Sequence, residues 1–157
     1  VRSVDFVLKL NSDTVAEAMS ADPVCIDPHH SVREVLVRLQ QGRSGGALVC
    51  RDGRLVGIFT ERDALRLMAA GASLDVPVES VMVREPVSIV ADDTIARAIR
   101  TMSVGGYRRL PVINGQGAPV GMLNVANVVH YLVEHFPQAV YNLPPDSHST
   151  MPEREGA

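Results

Sequence analysis

Tryptophan is absent from this 157-residue chain, and aromatic residues make up only 4% of it. A surface that stacks the bases of single-stranded nucleic acid needs a row of aromatic rings, so the composition argues against that class. An excess of positive charge is also lacking: 15 Lys and Arg face 18 Asp and Glu, a formal net charge of -3. The chain therefore has no general electrostatic attraction to nucleic acid or anionic lipid. No apolar run nears the roughly 18 residues of a membrane span. The opening Val1-Arg2-Ser3-Val4-Asp5-Phe6 carries no secretory pattern, so a cytoplasmic protein is expected. Cysteine is limited to Cys25 and Cys50, which are not in Cys-x-x-Cys spacing and sit in apolar, strand-like runs. Two buried free thiols are expected there rather than a disulfide. Ser-His-Asp, Cys-His and paired-carboxylate arrangements are missing too, as is a metal-ligand spacing, so the expectation is a non-enzyme without a catalytic cofactor or metal.

What is present is a sequence written twice. Residues 15–70 overlay residues 78–133 at a constant offset of 63 positions, from Met19 to Met82. The offset carries Val15-Ala16-Glu17-Ala18-Met19 onto Val78-Glu79-Ser80-Val81-Met82, Pro23-Val24 onto Pro86-Val87, Ser31-Val32 onto Thr94-Ile95 and Gly42 onto Gly105. One extra residue in the turn Asn114-Gly115-Gln116-Gly117 makes it 64, from Gly57 to Gly121 and from Asp63 to Asn127. Two copies with one indel imply two similar units about an approximate two-fold, not a solenoid.

Each copy reads as β-α-β-β-α. An X-Pro break precedes a short strand, Val24–Ile26 or Val87–Ile89. Ser31 with Glu34 forms a capping box at the head of a helix whose apolar residues fall at 32, 35, 36 and 39. Thr94 plays the same part in the second copy. A hairpin follows, with strands Ala47–Cys50 and Leu55–Phe59 or Leu110–Ile113 and Val120–Leu123. Helices then start at Thr60 and Asn124 and end before Gly71 and Pro137. Pro111 within a strand predicts an edge or a bulge. A three-stranded sheet with both helices on one face leaves an open apolar face, and pairing two such units covers it. The expected organisation is an N-terminal extension 1–12, a first repeat 13–71, a linker 72–77, a second repeat 78–136 and an irregular, Pro-rich tail 137–157.

The junction Gly57-Ile58-Phe59-Thr60-Glu61-Arg62-Asp63 carries the clearest chemistry. A strand end runs into a helix whose first N–H groups lack partners and carry partial positive charge. Such a helix start suits a phosphate. Thr60 near that phosphate and Asp63 accepting from two ribose hydroxyls could hold a sugar-phosphate. Thr-x-x-Asp is equally close to an ordinary capping box.

Repeats of about 60 residues, each opening on Met-x-x-x-Pro-Val and the first closing on Gly-Ile-Phe-Thr-x-x-Asp, resemble a tandem cystathionine-β-synthase (CBS) domain pair, or Bateman module. Arg108-Arg109-Leu110-Pro111-Val112-Ile113 is also typical of that family. The resemblance implies a mixed α+β fold, two pseudo-symmetric repeats packed sheet to sheet, and two clefts for adenosine-containing ligands: AMP, ADP, ATP or S-adenosylmethionine. It places Asp63 on the ribose, Thr60, Arg62 and the helix start by the ribose or phosphate, and Ile58 on the adenine. It puts Val24, Cys25, Ile26 and Ser44 in the base pocket of the same cleft. Arg108 and Arg109 would reach the phosphates from the other repeat, since a guanidinium binds phosphate oxygens bidentately. It further implies a regulatory module that senses adenine nucleotides, forms a homodimer and signals to an unidentified protein. A ligand-free dimerisation or interaction module is the alternative.

The second copy departs from the motif. Asn124 and Asn127 replace Thr and Asp, and Gly45-Gly46 stand where Arg108-Arg109 would be. Both losses fall on one cleft, expected to be empty, weaker or differently specific and lined by Val87, Tyr107, Met122, Asn124 and Asn127. Tyr107 either stacks there or covers the core. His29 and His30 are read as a solvated loop rather than metal ligands, and the methionines as core residues.

Overall fold

The structure, a computed structural model, describes residues 2–137. Helix α1 (Arg2–Ser12) precedes β1 (Val24–Ile26), α2 (Val32–Gln41), β2 (Gly46–Arg51), β3 (Arg54–Thr60) and α3 (Glu61–Ala69). The second copy supplies β4 (Val83–Arg84), β5 (Ile89–Val90), α4 (Ile95–Gly105), β6 (Arg109–Ile113), β7 (Pro119–Asn124) and α5 (Val125–His135). The caps are where the sequence puts them: Ser31 and Glu34 bond reciprocally at the head of α2, and Thr94 accepts from Arg97 N at α4. Apart from Pro137, the Pro-rich tail lies outside the described residues. The N-terminal extension, given no element above, is helical and packs against α4.

The strands form two sheets, β1-β2-β3-β4 and β5-β6-β7. The four-stranded sheet departs from the expected three because β4, which belongs by sequence to the second copy, pairs antiparallel with β3, Ile58 opposite Val83. The counterpart is a bridge between Ser20 and Met122, closed by Ser20 N–H to Met122 O at 2.9 Å and Met122 N–H to Ser20 O at 3.0 Å. Each copy thus lends its leading segment to the other. Val78 and Met82 are buried with Ile26, Val32, Val35, Leu39, Val49 and Phe59, whereas Val15 is buried with Ile89, Leu110, Val112 and Leu123. The glycines of the two Gly-h-h motifs permit the exchange. A Cβ on Gly57 would run into the Met82 side chain, and one on Gly121 would lie 2.6 Å from Met19 Sδ. The linker is tied down as well: Val32 N–H donates to Val76 O, Arg33 N–H to Leu74 O, and the Arg33 guanidinium bonds Asp75 at 2.8 Å.

Side chains alternate across each sheet. Ala47, Val49 and Phe59 face the helices, while Leu48 and Ile58 meet Met122 from the other sheet, flanked by Cys50 and Leu55. This small cluster is the sheet-to-sheet contact. Matching bulges fall at Val49/Cys50 and Val112/Ile113. Pro111 lies inside β6, the middle strand, without a lost ladder bond. Its partner Met122 turns its N–H and C=O to Ser20, so Pro111 N points away from β7, and β5 begins pairing only at Val112. Two expectations about core residues need correction. Cys25 is exposed, because it lies mid-way along a three-residue edge strand that alternates, and Met68 is half exposed on α3.

Candidate ligand-binding cleft

β3 delivers Ile58 and Thr60 to the sheet's end, and α3 starts at once. Thr60 is extended, with φ -119° and ψ 164°, and its hydroxyl oxygen accepts from Asp63 N–H. In return Asp63 Oδ2 accepts from Thr60 N–H at 2.9 Å and from Thr60 Oγ1–H at 2.7 Å. The capping box is therefore complete, and it uses one carboxylate oxygen only. Asp63 Oδ1 has no protein partner among the described residues, so its two lone pairs remain for a ligand. The choice between cap and ligand contact left open by the sequence dissolves, because one side chain has capacity for both.

The cleft beside this junction has a volume of about 900 Å³. Its first wall is Ile58, Thr60, Arg62 and Asp63; its second is Val83, Glu85, Pro86 and Val87; its third runs from Gly105 to Arg109. Glu85 holds a left-handed φ of 47°, which turns the chain between β4 and Pro86. Gly106 at φ 67° ends α4, and the Tyr107 ring folds back onto Gly105 so closely that no Cβ would fit there. The basic end has a specific seat. The Arg109 guanidinium occupies the space that a Cβ on Gly45 would take, and its Cδ would lie 3.2 Å from a Cβ on Gly46. The glycine pair, read above as a lost arginine pair, is the floor on which Arg109 lies.

Six of the expected site residues meet here: Ile58, Thr60, Arg62, Asp63, Arg108 and Arg109. Val24, Cys25, Ile26 and Ser44 are not among the lining residues. The strand order explains why. β1 sits beyond β2, whereas the edge of β3 at the cleft is covered by β4. Ser44 instead shapes the turn into β2, its hydroxyl donating to Gly46 O at 2.8 Å. Val87 and Tyr107, assigned above to the second cleft, line this one. Met122 is in the inter-sheet cluster, and Asn124 and Asn127 form their own capping box at α5. Sequence reasoning missed Glu61, Arg66, Val83, Glu85 and Pro86. Val83, Glu85, Pro86 and Val87 would have followed from pairing each Gly-h-h motif with the Met-x-x-x-Pro-Val segment of the opposite copy, and Glu61 and Arg66 from the faces of α3 around Asp63.

The second junction differs in chemistry. Asn127 Oδ1 accepts from Asn124 N–H at 3.1 Å, which fixes the amide orientation. Its Nδ2 then faces outward, 3.5 Å from Ser20 Oγ. Where the first junction offers an acceptor, the second offers a donor.

The histidines are engaged locally. His30 Nε2 lies 2.8 Å from the Arg38 guanidinium, and its Nδ1 is 3.2 Å from both the N–H and the carbonyl oxygen of Asp27. His29 faces Glu79 at 3.6 Å. No cluster of three or more His, Cys, Asp or Glu suited to a metal exists among the described residues. No helix among them is long and apolar enough to cross a membrane.

The sequence model of the CBS domain matches residues 15–70 and 78–134. A CBS domain-containing protein of Arabidopsis thaliana is 31% identical over 110 residues, 69% of this chain, of which it uses only 20% of its own length. The chain thus spans about a fifth of that relative. A solved CBS domain protein from Pyrobaculum aerophilum, complexed with AMP, is 25% identical and superimposes with a TM-score of 0.70 over 78% of this chain and 99% of that one. A CBS domain pair in complex with 5'-methylthioadenosine and S-adenosyl-L-methionine shares the fold, with a TM-score of 0.71 and 20% identity over 76% of this chain and 99% of that one.

Proposed function

Because this chain belongs to the CBS-domain family, we propose that it is a regulatory module that holds an adenosine-containing ligand between its repeats and signals to a partner protein. The observation that carries this reading is the pair of opposed ends of the cleft. Asp63 Oδ1 sits unpaired at the first-repeat wall, and Arg108 and Arg109 sit on the wall from the second repeat. The carboxylate oxygen would accept both ribose hydroxyls, and Thr60 with the start of α3 would lie beside the ribose-phosphate. The guanidinium groups would take the phosphate. Ile58 and Val87 supply apolar surface for the adenine. Because the far end is basic, a phosphorylated adenosine fits better than S-adenosylmethionine, whose sulfonium is a cation.

Calorimetric titration with AMP, ATP and S-adenosylmethionine tests the proposal. AMP or ATP should bind with measurable heat and raise the melting temperature. Silence from all three ligands would leave the alternative, a ligand-free dimerisation module. One observation favours self-association in either case. Leu65 and Met68 on α3, and Val125 and Val129 on α5, are large apolar side chains left exposed. A homodimer that covered them would bury the remaining apolar helix faces.

A further inference from the structure

The walls of the cleft carry more positive charge than a single phosphate uses. Arg108 and Arg109 come from the second copy, and Arg62 and Arg66 from α3. Among the described residues none of these four side chains makes an ion pair or a hydrogen bond with a carboxylate, although Glu61 and Glu85 line the same cleft. Elsewhere Arg33, Arg51 and Arg97 each hold an aspartate or a glutamate. Arg62 and Arg66 stand one turn apart, so their like charges share a face of α3 and repel. The helix dipole accounts for Arg66 in the last turn but opposes Arg62 in the first. The duplicated copy lacks the whole set. The offset of 64 carries Arg62 onto Ala126 and Arg66 onto His130, which pairs with Glu134 at 3.0 Å. The offset of 63 carries Arg108 and Arg109 onto Gly45 and Gly46. Both arginine pairs therefore belong to the first cleft, and the second junction keeps neither.

Resting on the adenosine reading above, we propose that Arg62 and Arg66 form a second anion subsite, so that the cleft selects an adenosine polyphosphate over AMP. A single phosphate seated on Arg108 and Arg109 leaves the α3 pair without a counter-charge. A second or third phosphate supplies it, and the repulsion between Arg62 and Arg66 becomes attraction to a shared anion. The spacing suits a chain rather than a point charge. Four residues along a helix advance about 6 Å, so the two guanidinium groups form a row along the cleft wall. Each can bind phosphate oxygens through two parallel N–H donors. The cleft has the room as well: its volume of about 900 Å³ lies near the top of the roughly 300 to 1,000 Å³ usual for small-molecule sites. Asp63 stays with the ribose, because one of its oxygens closes the cap and the other faces the ligand.

Calorimetry on the full chain, with divalent cations removed, compares AMP, ADP, ATP and inorganic tripolyphosphate. ATP should bind about tenfold more tightly than AMP, with ADP between them. The gap should shrink as salt is raised. Arg66 is exposed and unpaired, so Arg66→Gln should melt like wild type without ligand. In that variant AMP should hold its affinity, while ATP falls to within about twofold of it. Tripolyphosphate should raise the melting temperature of wild type but not of a chain carrying both Arg62→Gln and Arg66→Gln. AMP binding as tightly as ATP in wild type would overturn the subsite and leave the adenosine reading standing. Equal losses of AMP and ATP in Arg66→Gln would overturn it in the same way. Tripolyphosphate binding with every nucleotide silent would keep the subsite and refute the adenosine reading, and silence from all four would overturn both.

Discussion

Replacing Asp63 with Asn separates the two duties of this side chain. The amide is nearly isosteric, and the second repeat shows what it does at this position: Asn127 Oδ1 accepts from the N-cap N–H, and the box stays closed. Asp63→Asn should keep the start of α3 intact and change stability by no more than about 0.5 kcal/mol. The ligand-facing atom changes from an anionic acceptor with two lone pairs to an NH2 donor. Hydrogen bonds to a charged group contribute about 1.5 to 3 kcal/mol each. The amide can still donate to a hydroxyl oxygen, so the net loss should be less than two full bonds, about 2 to 3 kcal/mol, or roughly 30- to 150-fold in Kd. Calorimetry should show the same factor for AMP and adenosine, which share the ribose, and the thermal midpoint without ligand should match wild type. AMP binding within about threefold of wild type would refute the reasoning. A variant that binds weakly but also melts several degrees lower would show that Asp63 matters only as a cap. Asn127→Asp makes the reverse exchange and should leave AMP binding at the first cleft unchanged.

Three other perturbations test the structure at separate points. Gly45→Ala places a methyl where the Arg109 guanidinium lies. It should weaken AMP binding severalfold while leaving adenosine unaffected, and Arg109→Ala should do the same; equal losses for both ligands would argue against a phosphate contact. Gly57→Ala drives a Cβ into Met82 and should cost about 1 to 3 kcal/mol in denaturant unfolding, with Met82→Ala in the same chain recovering part of it. If the two losses simply add, the glycine is not there to seat the methionine. Tyr131→Phe removes the hydroxyl that bonds Asp13 and should cost about 1 kcal/mol at neutral pH. That hydrogen bond is the first cause holding the Asp13 carboxyl below its ordinary value of 3.8. A depressed carboxyl stabilises fully above that value and loses its contribution as pH falls through the lowered one. The gap between wild-type and variant melting curves should therefore narrow in strong acid, and a gap independent of pH would refute the assignment.

Much of the fold was legible because its signals are local. The capping box at Ser31 and Glu34, the turn before β3 and the glycine stop after α3 each depend on a few adjacent residues. The constant offset between copies made the duplication visible without any long-range information. The partner of each leading segment was not legible. Val83 and Arg84 are too short a run to register as a strand, and nothing within one copy says that Met82 must lie on Gly57 rather than Met19. The same gap put the β1 residues and Ser44 in a cleft whose lining does not include them, and gave Val87 and Tyr107, which line this cleft, to the second one. The seat of Arg109 was hidden for a related reason. A glycine pair reads as an absence until the side chain that fills it is seen arriving from the other repeat.

The exchange bears on how such a module would transmit binding. Residues 58–63 rest on the core of the first repeat, 105–109 on that of the second, and 83–87 follow a segment encoded with the second but buried in the first. A ligand touching all three would add a bridge to repeats that already share their exchanged leading segments and meet, sheet to sheet, at Leu48, Ile58 and Met122. Within either repeat alone it would find little to change, because Thr60 and Asp63 are already capped and Arg109 is already seated. Its differential affinity would have to come from the spacing between the repeats. A ligand that merely filled a preformed pocket would leave that spacing as it was. One with a carboxylate contact at one end and a guanidinium contact at the other favours the spacing that satisfies both. Under the proposed function the distance from ribose to phosphate would be the quantity such a module reads, and adenosine, which lacks the second contact, should bind without the population shift expected of AMP.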